Sequence, residues 1–83
     1  MTGIARANKD LVNNLDTIIP SFTKFSVETF PVARLNDVIN GTSDIVNSAS
    51  TKFFVNGIGV ARLNDTTANN WIITSASTKF FTK

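Results

Sequence analysis

The three arginines of this chain lie 28 residues apart, and each stands in the same short phrase. The phrase reads Ile-Ala-Arg-Ala-Asn once and Val-Ala-Arg-Leu-Asn twice, around Arg6, Arg34 and Arg62. A second phrase, Thr-Lys-Phe, follows each arginine phrase and ends at Phe25, Phe53 and Phe80. Self-similarity at a period of about 20–50 residues is typical of repeat architectures. We therefore interpret residues 1–83 as one domain of three repeats, at approximately 4–31, 32–59 and 60–83.

The local pattern of the chain indicates short strands. No segment has sustained helical periodicity, whereas β-branched and aromatic runs alternate with polar turns. Asn56-Gly57 has the composition of a type I′ hairpin turn, because both central residues of that turn need a positive φ. We predict that this turn joins strands at 52–55 and 58–63. The predicted fold class is all-β.

When the repeats are aligned with one another, the two chain ends correspond to the two residues of that same hairpin turn. Lys83 aligns with Asn56, and Met1 aligns with Gly57. An unpaired strand exposes backbone donors and acceptors, so we expect residues 4–7 to pair with residues 79–82. This pairing would close the repeats into a pseudo-threefold ring, whereas a linear solenoid would need capping segments at both ends.

The composition excludes most catalytic chemistry. The sequence has no cysteine and no histidine, which removes disulfides, the usual general base and the usual zinc ligands. A hard-cation site at Asp10, Asp37 or Asp65 is the alternative, but the neighbouring asparagines are poor ligands without further carboxylates. We predict no catalytic residue, no metal site, no cofactor and no enzymatic activity.

The charge pattern argues against a nucleic-acid partner. The net charge is +2, and six of the eight basic residues occupy repeat positions, so they need not form one basic stripe. No basic run or glycine-rich phosphate loop accompanies them. The first residues lack the apolar core of a signal peptide, so we expect synthesis in the cytoplasm.

The arginines are predicted to pair with aspartates. Asp37 and Asp65 each follow their arginine by three residues, whereas in the first repeat Lys9 takes that place and Asp10 follows. We favour structural arginine–aspartate pairs over ligand recognition, because a guanidinium can bind a carboxylate through two hydrogen bonds.

The phenylalanines divide into two groups. The first group alternates with lysines along the strands and is predicted to be core, namely Phe25, Phe53 and Phe80. Phe54 and Phe81 share the lysine face, where the first repeat has Ser26. Aromatic residues on a polar face indicate either a covered side or a contact with a partner, so these two are candidate partner-contact residues.

Two segments resemble the PAAR-repeat family. Pro31-Val32-Ala33-Arg34 is similar to the Pro-Ala-Ala-Arg signature, and residues 54–65 are similar to the strand, Asn-Gly turn and Ala-Arg-x-x-Asp segment of that family. The similarity covers nearly the whole chain, with two good motif copies and one degenerate copy. It implies a small conical, pseudo-threefold β fold whose base caps a trimeric β-helical spike, in contractile phage tails and type VI secretion systems. The vertex of the cone then leads into the target membrane.

The chain departs from the family at its zinc site. The resemblance implies a zinc near the vertex, held by histidines and a cysteine in the loop after the motif aspartate. The corresponding positions here carry no such side chain, namely Asn13, Asn14, Gly41, Thr42, Asn69 and Asn70. We therefore expect a metal-free tip. No segment is expected beyond the repeats for a fused effector, which favours a phage tail over a toxin-bearing secretion protein.

The functional hypothesis is a structural tip protein of a contractile injection machine, located in the virion. Its partners would be one trimeric β-helical spike per copy and, transiently, the envelope of the target cell. One alternative is a tip adaptor of a type VI secretion spike. Another is a binding module for cell-surface glycans, which would need three equivalent aromatic clefts, whereas Trp71 occurs once.

Overall fold

The computed structural model describes residues 2–83, which form eight strands of two residues each and no helix. The strands are β1 (Thr2–Gly3), β2 (Leu11–Val12), β3 (Asp16–Thr17), β4 (Ser26–Val27), β5 (Phe30–Pro31), β6 (Phe54–Val55), β7 (Ile58–Gly59) and β8 (Phe81–Thr82). They pair antiparallel as β1 with β8, β2 with β3, β4 with β5, and β6 with β7. The prediction of an all-β chain is confirmed. Over residues 2–83, nothing is helical for long enough, or apolar enough, to cross a membrane.

The hairpin at Asn56-Gly57 is confirmed. The φ angles of Asn56 and Gly57 are 53° and 80°, and the turn joins β6 to β7. The strands are shorter than the sequence pattern predicts, because Val60 is the last residue to bond to the hairpin partner, through its NH to the Phe53 carbonyl at 3.1 Å. Val60 also forms a bridge with Arg34 of the preceding repeat.

The two ends of the described chain pair, as predicted, but in a different register. Thr2 lies opposite Thr82 and Gly3 opposite Phe81. Ile4 is the last residue to join this pairing, through its backbone NH, which donates to the Phe80 carbonyl at 2.9 Å. The predicted pairing of residues 4–7 with 79–82 was therefore wrong in register, because the chain beyond Ile4 bonds to neighbouring repeats instead.

Three alanines join the repeats at the centre of the molecule. The NH of Ala5 donates to the carbonyl of Ala61 at 2.9 Å, Ala33 donates to Ala5 at 3.1 Å, and Ala61 donates to Ala33 at 2.8 Å. All three are fully buried. Each repeat thus bonds to another in cyclic order, and backbones this close leave room for little more than a methyl side chain.

Two apolar clusters lie on opposite sides of these alanines, because successive strand residues point in opposite directions. The sealed core contains the alanines and the fully buried aliphatic residues, namely Val12, Ile18, Ile39, Val46 and Ile73. The open core contains the residues that precede the alanines together with hairpin residues, namely Ile4, Val27, Val32, Val55 and Val60. The molecule measures 25 × 23 × 21 Å along its principal axes.

The phenylalanines predicted as core residues do not form the core. Phe25 and Phe80 are 40% and 49% exposed, and Phe53 is half-buried against the open core. The core prediction for these residues was therefore wrong. The repeats converge so closely on the alanines that the interior admits alanine, valine and isoleucine, while the aromatic rings remain at its edge.

Candidate partner-docking surface

The open core ends in a cavity of about 440 Å³. All three repeats contribute to its lining, with Ile4, Phe25 and Val27 from the first, Lys52 and Phe53 from the second, and Phe80 from the third. Volumes of roughly 300–1,000 Å³ are usual for pockets that enclose a small ligand or a group of similar size. The cavity is therefore a concave apolar surface to which the whole ring contributes.

Three phenylalanines at equivalent repeat positions line this cavity, and we call Phe25, Phe53 and Phe80 the phenylalanine rim. The rings of Phe25 and Phe53 meet edge to face, with centroids 5.8 Å apart and planes at 76°. Such edge contacts hold aromatic side chains in defined positions. Because much of the rim is exposed, it forms an apolar patch of the kind that marks interaction sites.

The two candidate partner-contact residues are exposed. Phe54 is 54% exposed and Phe81 is 46% exposed, and Phe81 also lines the cavity. Ser26, at the equivalent position of the first repeat, is exposed as well. The structure thus leaves Phe54 and Phe81 available to a partner, and the contact itself stays a prediction.

Two serines position the rim of the second and third repeats. The hydroxyl of Ser50 accepts hydrogen bonds from the backbone NH of Lys52 and Phe53, both at 3.0 Å. The hydroxyl of Ser77 accepts from Lys79 and Phe80, both at 3.1 Å. Sequence reasoning missed these serines, although the repeated phrase Ser-Thr-Lys-Phe-Phe at 50–54 and 77–81 contains them.

Two of the three arginines form the predicted ion pairs. Arg6 binds Asp10 through Nε to Oδ2 at 2.8 Å and Nη2 to Oδ1 at 2.9 Å. Arg62 binds Asp65 through the corresponding atoms at 3.0 and 2.8 Å. These hydrogen bonds raise the pKa of the Arg6 and Arg62 guanidinium groups, against the opposing effect of burial. The predicted arginine–aspartate pairs are therefore present at both arginines.

Arg34 binds its aspartate differently. Its guanidinium donates to the Val55 carbonyl and to the Ser21 hydroxyl, both at 2.9 Å, and lies 4.8 Å above the centre of the Phe22 ring. The Ser21 hydroxyl in turn donates to Asp37, which also accepts the backbone NH of Arg34 at 2.8 Å. The prediction of a direct side-chain ion pair between Arg34 and Asp37 was therefore wrong.

The environment of Asp37 perturbs its ionisation. Burial raises the pKa of the Asp37 carboxyl above its ordinary value, and the hydrogen bonds from Ser21 and from the Arg34 backbone offset this only in part. Burying the ionised Asp37 carboxylate is therefore unfavourable, since the guanidinium of Arg34 contacts it through the Ser21 hydroxyl rather than directly.

Three serines connect each aspartate to the preceding repeat in the ring. Ser21 donates to Asp37, Ser48 donates to Asp65 at 3.2 Å, and Ser75 donates to Asp10 at 3.1 Å. We call these serines, the three arginines and the three aspartates together the polar belt. Sequence reasoning missed the serines because their spacing is 27 residues, one short of the arginine period.

The loops beside the sealed core contain left-handed residues. Asn13, Asn14, Gly41 and Asn70 have φ angles of 54°, 58°, 79° and 66°. Asparagine and glycine tolerate this conformation, so these residues act as turn formers. Within residues 2–83 no three acidic side chains come together as metal ligands. The metal-free tip stays a prediction.

Comparisons with known proteins add no family assignment. No protein-family model matches the chain, and no curated protein matches it either. The similarity to PAAR-repeat proteins therefore depends on the repeated motifs alone, and what it implies about function enters below as a proposal.

Proposed function

We propose that this protein is the tip of the central spike in a contractile injection machine, where one copy caps a trimeric β-helix. The proposal includes the conical, pseudo-threefold fold of the PAAR-repeat proteins and a location in the virion. It assigns the protein a mechanical role without catalysis, cofactor or nucleic acid.

The cyclic contacts between the repeats carry this proposal. Besides the alanines, three bridges connect each repeat to the next in order, namely Ile4 with Arg62, Val32 with Arg6, and Val60 with Arg34. In the proposed pseudo-threefold fold, a single chain would present three similar surfaces around one axis. A partner with three identical chains requires such a surface if one copy is to contact all three chains equally.

The difference in exposed surface between the two ends of the molecule suggests which end docks on the spike. The phenylalanine rim surrounds a cavity, whereas the exposed aliphatic residues beside the sealed core, among them Leu15 and Ile72, lie next to asparagine-rich turns. Burying the rim would release water from apolar surface, at about 25 cal/mol per Å². We therefore assign the open end to the base that meets the spike and the turns to the leading vertex.

The polar belt suits a part that transmits force. Its buried aspartates accept hydrogen bonds from arginines of their own repeat and from serines of the preceding repeat, so separating two repeats would break the serine–aspartate hydrogen bonds. A hydrogen bond to a charged group contributes about 1.5–3 kcal/mol. The belt thus resists opening of the ring.

The position of Trp71 does not favour the glycan-binding alternative. Trp71 is half-buried and packs against the sealed core instead of lining an open cleft. A type VI spike, by contrast, is also a trimer and would use the same open end. The tip adaptor of a secretion system therefore differs from the phage tip only in the machine that carries it.

Co-purification with the trimeric β-helical spike fragment of the same phage or secretion system tests the proposal. Native mass spectrometry should show one copy of this protein per three spike chains. Phe80→Ser should weaken the complex at least tenfold, because it removes a rim side chain. Leu15→Ser, which changes an exposed leucine in the turn between β2 and β3, serves as the matched control and should leave binding unchanged. Failure of the unmodified protein to bind such a trimer would overturn the proposal.

A further inference from the structure

Three lysines surround the phenylalanine rim. Lys24, Lys52 and Lys79 each directly precede a rim phenylalanine, and all three are exposed. Lys52 lines the cavity itself. Lys24 and Lys79 occupy the equivalent repeat positions and each adjoins a phenylalanine that lines the cavity.

These lysines are not neutralised within the chain. Over residues 2–83 the ion pairs join arginines to Asp10, Glu28 and Asp65, and none includes a lysine. Asp37 is buried in the polar belt. The remaining carboxylates, Asp16 and Asp44, belong to the segments beside the sealed core. The open end therefore combines an apolar centre with lysines that form no ion pair within residues 2–83.

The shape of this surface distinguishes between acidic partners. A lipid bilayer presents a broad surface of anionic headgroups, which would meet the lysines but leave the concave centre unfilled. A protein end with a protruding apolar group and surrounding carboxylates would fill the cavity and face the lysines at the same time. Complementarity of both shape and charge is what specific protein interfaces show.

We infer that the trimeric partner presents an apolar plug to the cavity and, from each of its three chains, a carboxylate to one of these lysines. This inference rests on the proposed function and adds the chemistry of the partner to it. Charges at the edge of an interface act mainly on the association rate and on its salt dependence. The lysines thus guide the spike into position, and the phenylalanine rim retains it.

Association kinetics with the spike fragment used above test this inference. The triple variant Lys24→Gln, Lys52→Gln, Lys79→Gln should associate about 10- to 100-fold more slowly at low salt, which is the range that electrostatic steering provides. The difference should vanish at high salt because the charges are then screened. Lys9→Gln is the matched control, because Lys9 is exposed, lies over the Phe30 ring and does not line the cavity. The Lys52→Gln variant should associate with the spike more slowly than this control.

The outcomes separate this inference from the proposed function. If the unmodified protein binds the spike and the triple variant associates at the same rate, the charge inference is overturned and the proposed function stands. If the unmodified protein does not bind, both are overturned. Vesicles of phosphatidylcholine and phosphatidylglycerol form the second arm. Lysine-dependent binding to these vesicles, with spike association unaffected, would assign the lysines to a lipid surface and overturn the inference.

Discussion

The sealed core and the open core are made from the same three repeats, yet only the sealed core is closed. Its aliphatic side chains are 0% exposed, whereas Phe25 and Phe80 of the rim are 40% and 49% exposed. On one side of the central alanines the chain therefore buries its core residues fully, although some neighbouring aliphatic side chains such as Leu15 and Ile72 are exposed. On the other side it leaves apolar surface that another molecule can bury.

The difference arises from how the repeats meet. In the sealed core each repeat contributes a residue to a bridge with the next, namely Ile18 with Ile39, Val46 with Thr67, and Ile73 with Val12. The open core also has bridges between repeats, at Ile4, Val32 and Val60, but its hairpins pair mainly within a repeat and its aromatic residues remain at the edge. Folding stability should therefore depend on the sealed core, and binding on the open end.

The largest expected effect is a loss of stability when the sealed core is truncated. Ile39→Ala should lower the free energy of unfolding by about 2–5 kcal/mol, because it leaves a cavity among fully buried side chains. Phe80→Ala should lower the free energy of unfolding by about 1 kcal/mol or less, since the Phe80 ring is half exposed. Urea unfolding followed by Trp71 fluorescence measures both. If Ile39→Ala does not fold, Ile39→Val replaces it, with an expected decrease in the free energy of unfolding of about 0.5–1.5 kcal/mol. Equal decreases for the variants of the sealed core and of the rim would contradict the expected difference between the two ends.

A smaller effect is expected from the polar belt that joins the repeats. Asp65→Ala should cost about 2–3 kcal/mol, because the Arg62 guanidinium and its backbone NH both lose a partner. Arg62 is partly exposed, so water compensates some of the loss. The control Asp16→Ala, at a half-buried residue of β3, should change stability by less than about 0.5 kcal/mol. A similar result for both variants in urea unfolding would show that the belt does not hold the ring together.

Replacing a strained residue in a turn at the open end should raise the free energy of unfolding by about 1 kcal/mol. Glu28 and Thr29 occupy the place that Asn56 and Gly57 have in the second repeat, and their φ angles are 53° and 74°. A β-branched residue is strained in this left-handed region, so Thr29→Gly should stabilise the protein. The reverse change, Gly57→Thr, should destabilise it, although a side chain there meets nothing within 4 Å. Thermal unfolding of both variants checks the signs, and a loss of stability in Thr29→Gly would refute the strain.

The smallest expected effect is the pH dependence due to Asp37. Its pKa is raised in the folded state, so the folded protein retains this proton to a higher pH than the unfolded chain. The contribution of Asp37 to stability is therefore fully present below its unfolded pKa and is lost as the pH rises through the folded pKa. Urea unfolding from pH 3 to pH 7 should show that the stability difference between the unmodified protein and Asp37→Asn shifts in favour of the variant as the pH rises. A shift in the opposite direction would contradict the raised pKa.

Local signals in the chain predicted much of the fold. The Asn-Gly turn, the all-β class and the pairing of the terminal segments follow from turn chemistry and repeat register, and the structure has all three. The aspartates near Arg6 and Arg62 likewise predicted real ion pairs, because three or four residues of separation bring them within reach.

Other features could not be predicted because they depend on distances between repeats. Ser21 was missed as the link between Arg34 and Asp37, since no spacing in sequence shows which repeat faces which hydroxyl. The terminal pairing was predicted in the wrong register for the same reason. The chain beyond Ile4 bonds to other repeats rather than to the terminal strand.

The sequence by itself determined that this protein is a threefold repeat of short strands with turns at definite positions. Only the tertiary structure decided that alanines occupy the centre and phenylalanines the open edge. The physical reason is the close approach of three backbones, joined at the alanines by hydrogen bonds of 2.8–3.1 Å. At that separation a large side chain has no room inside, so the aromatic residues that hydrophobicity alone places in the core lie where a partner can reach them.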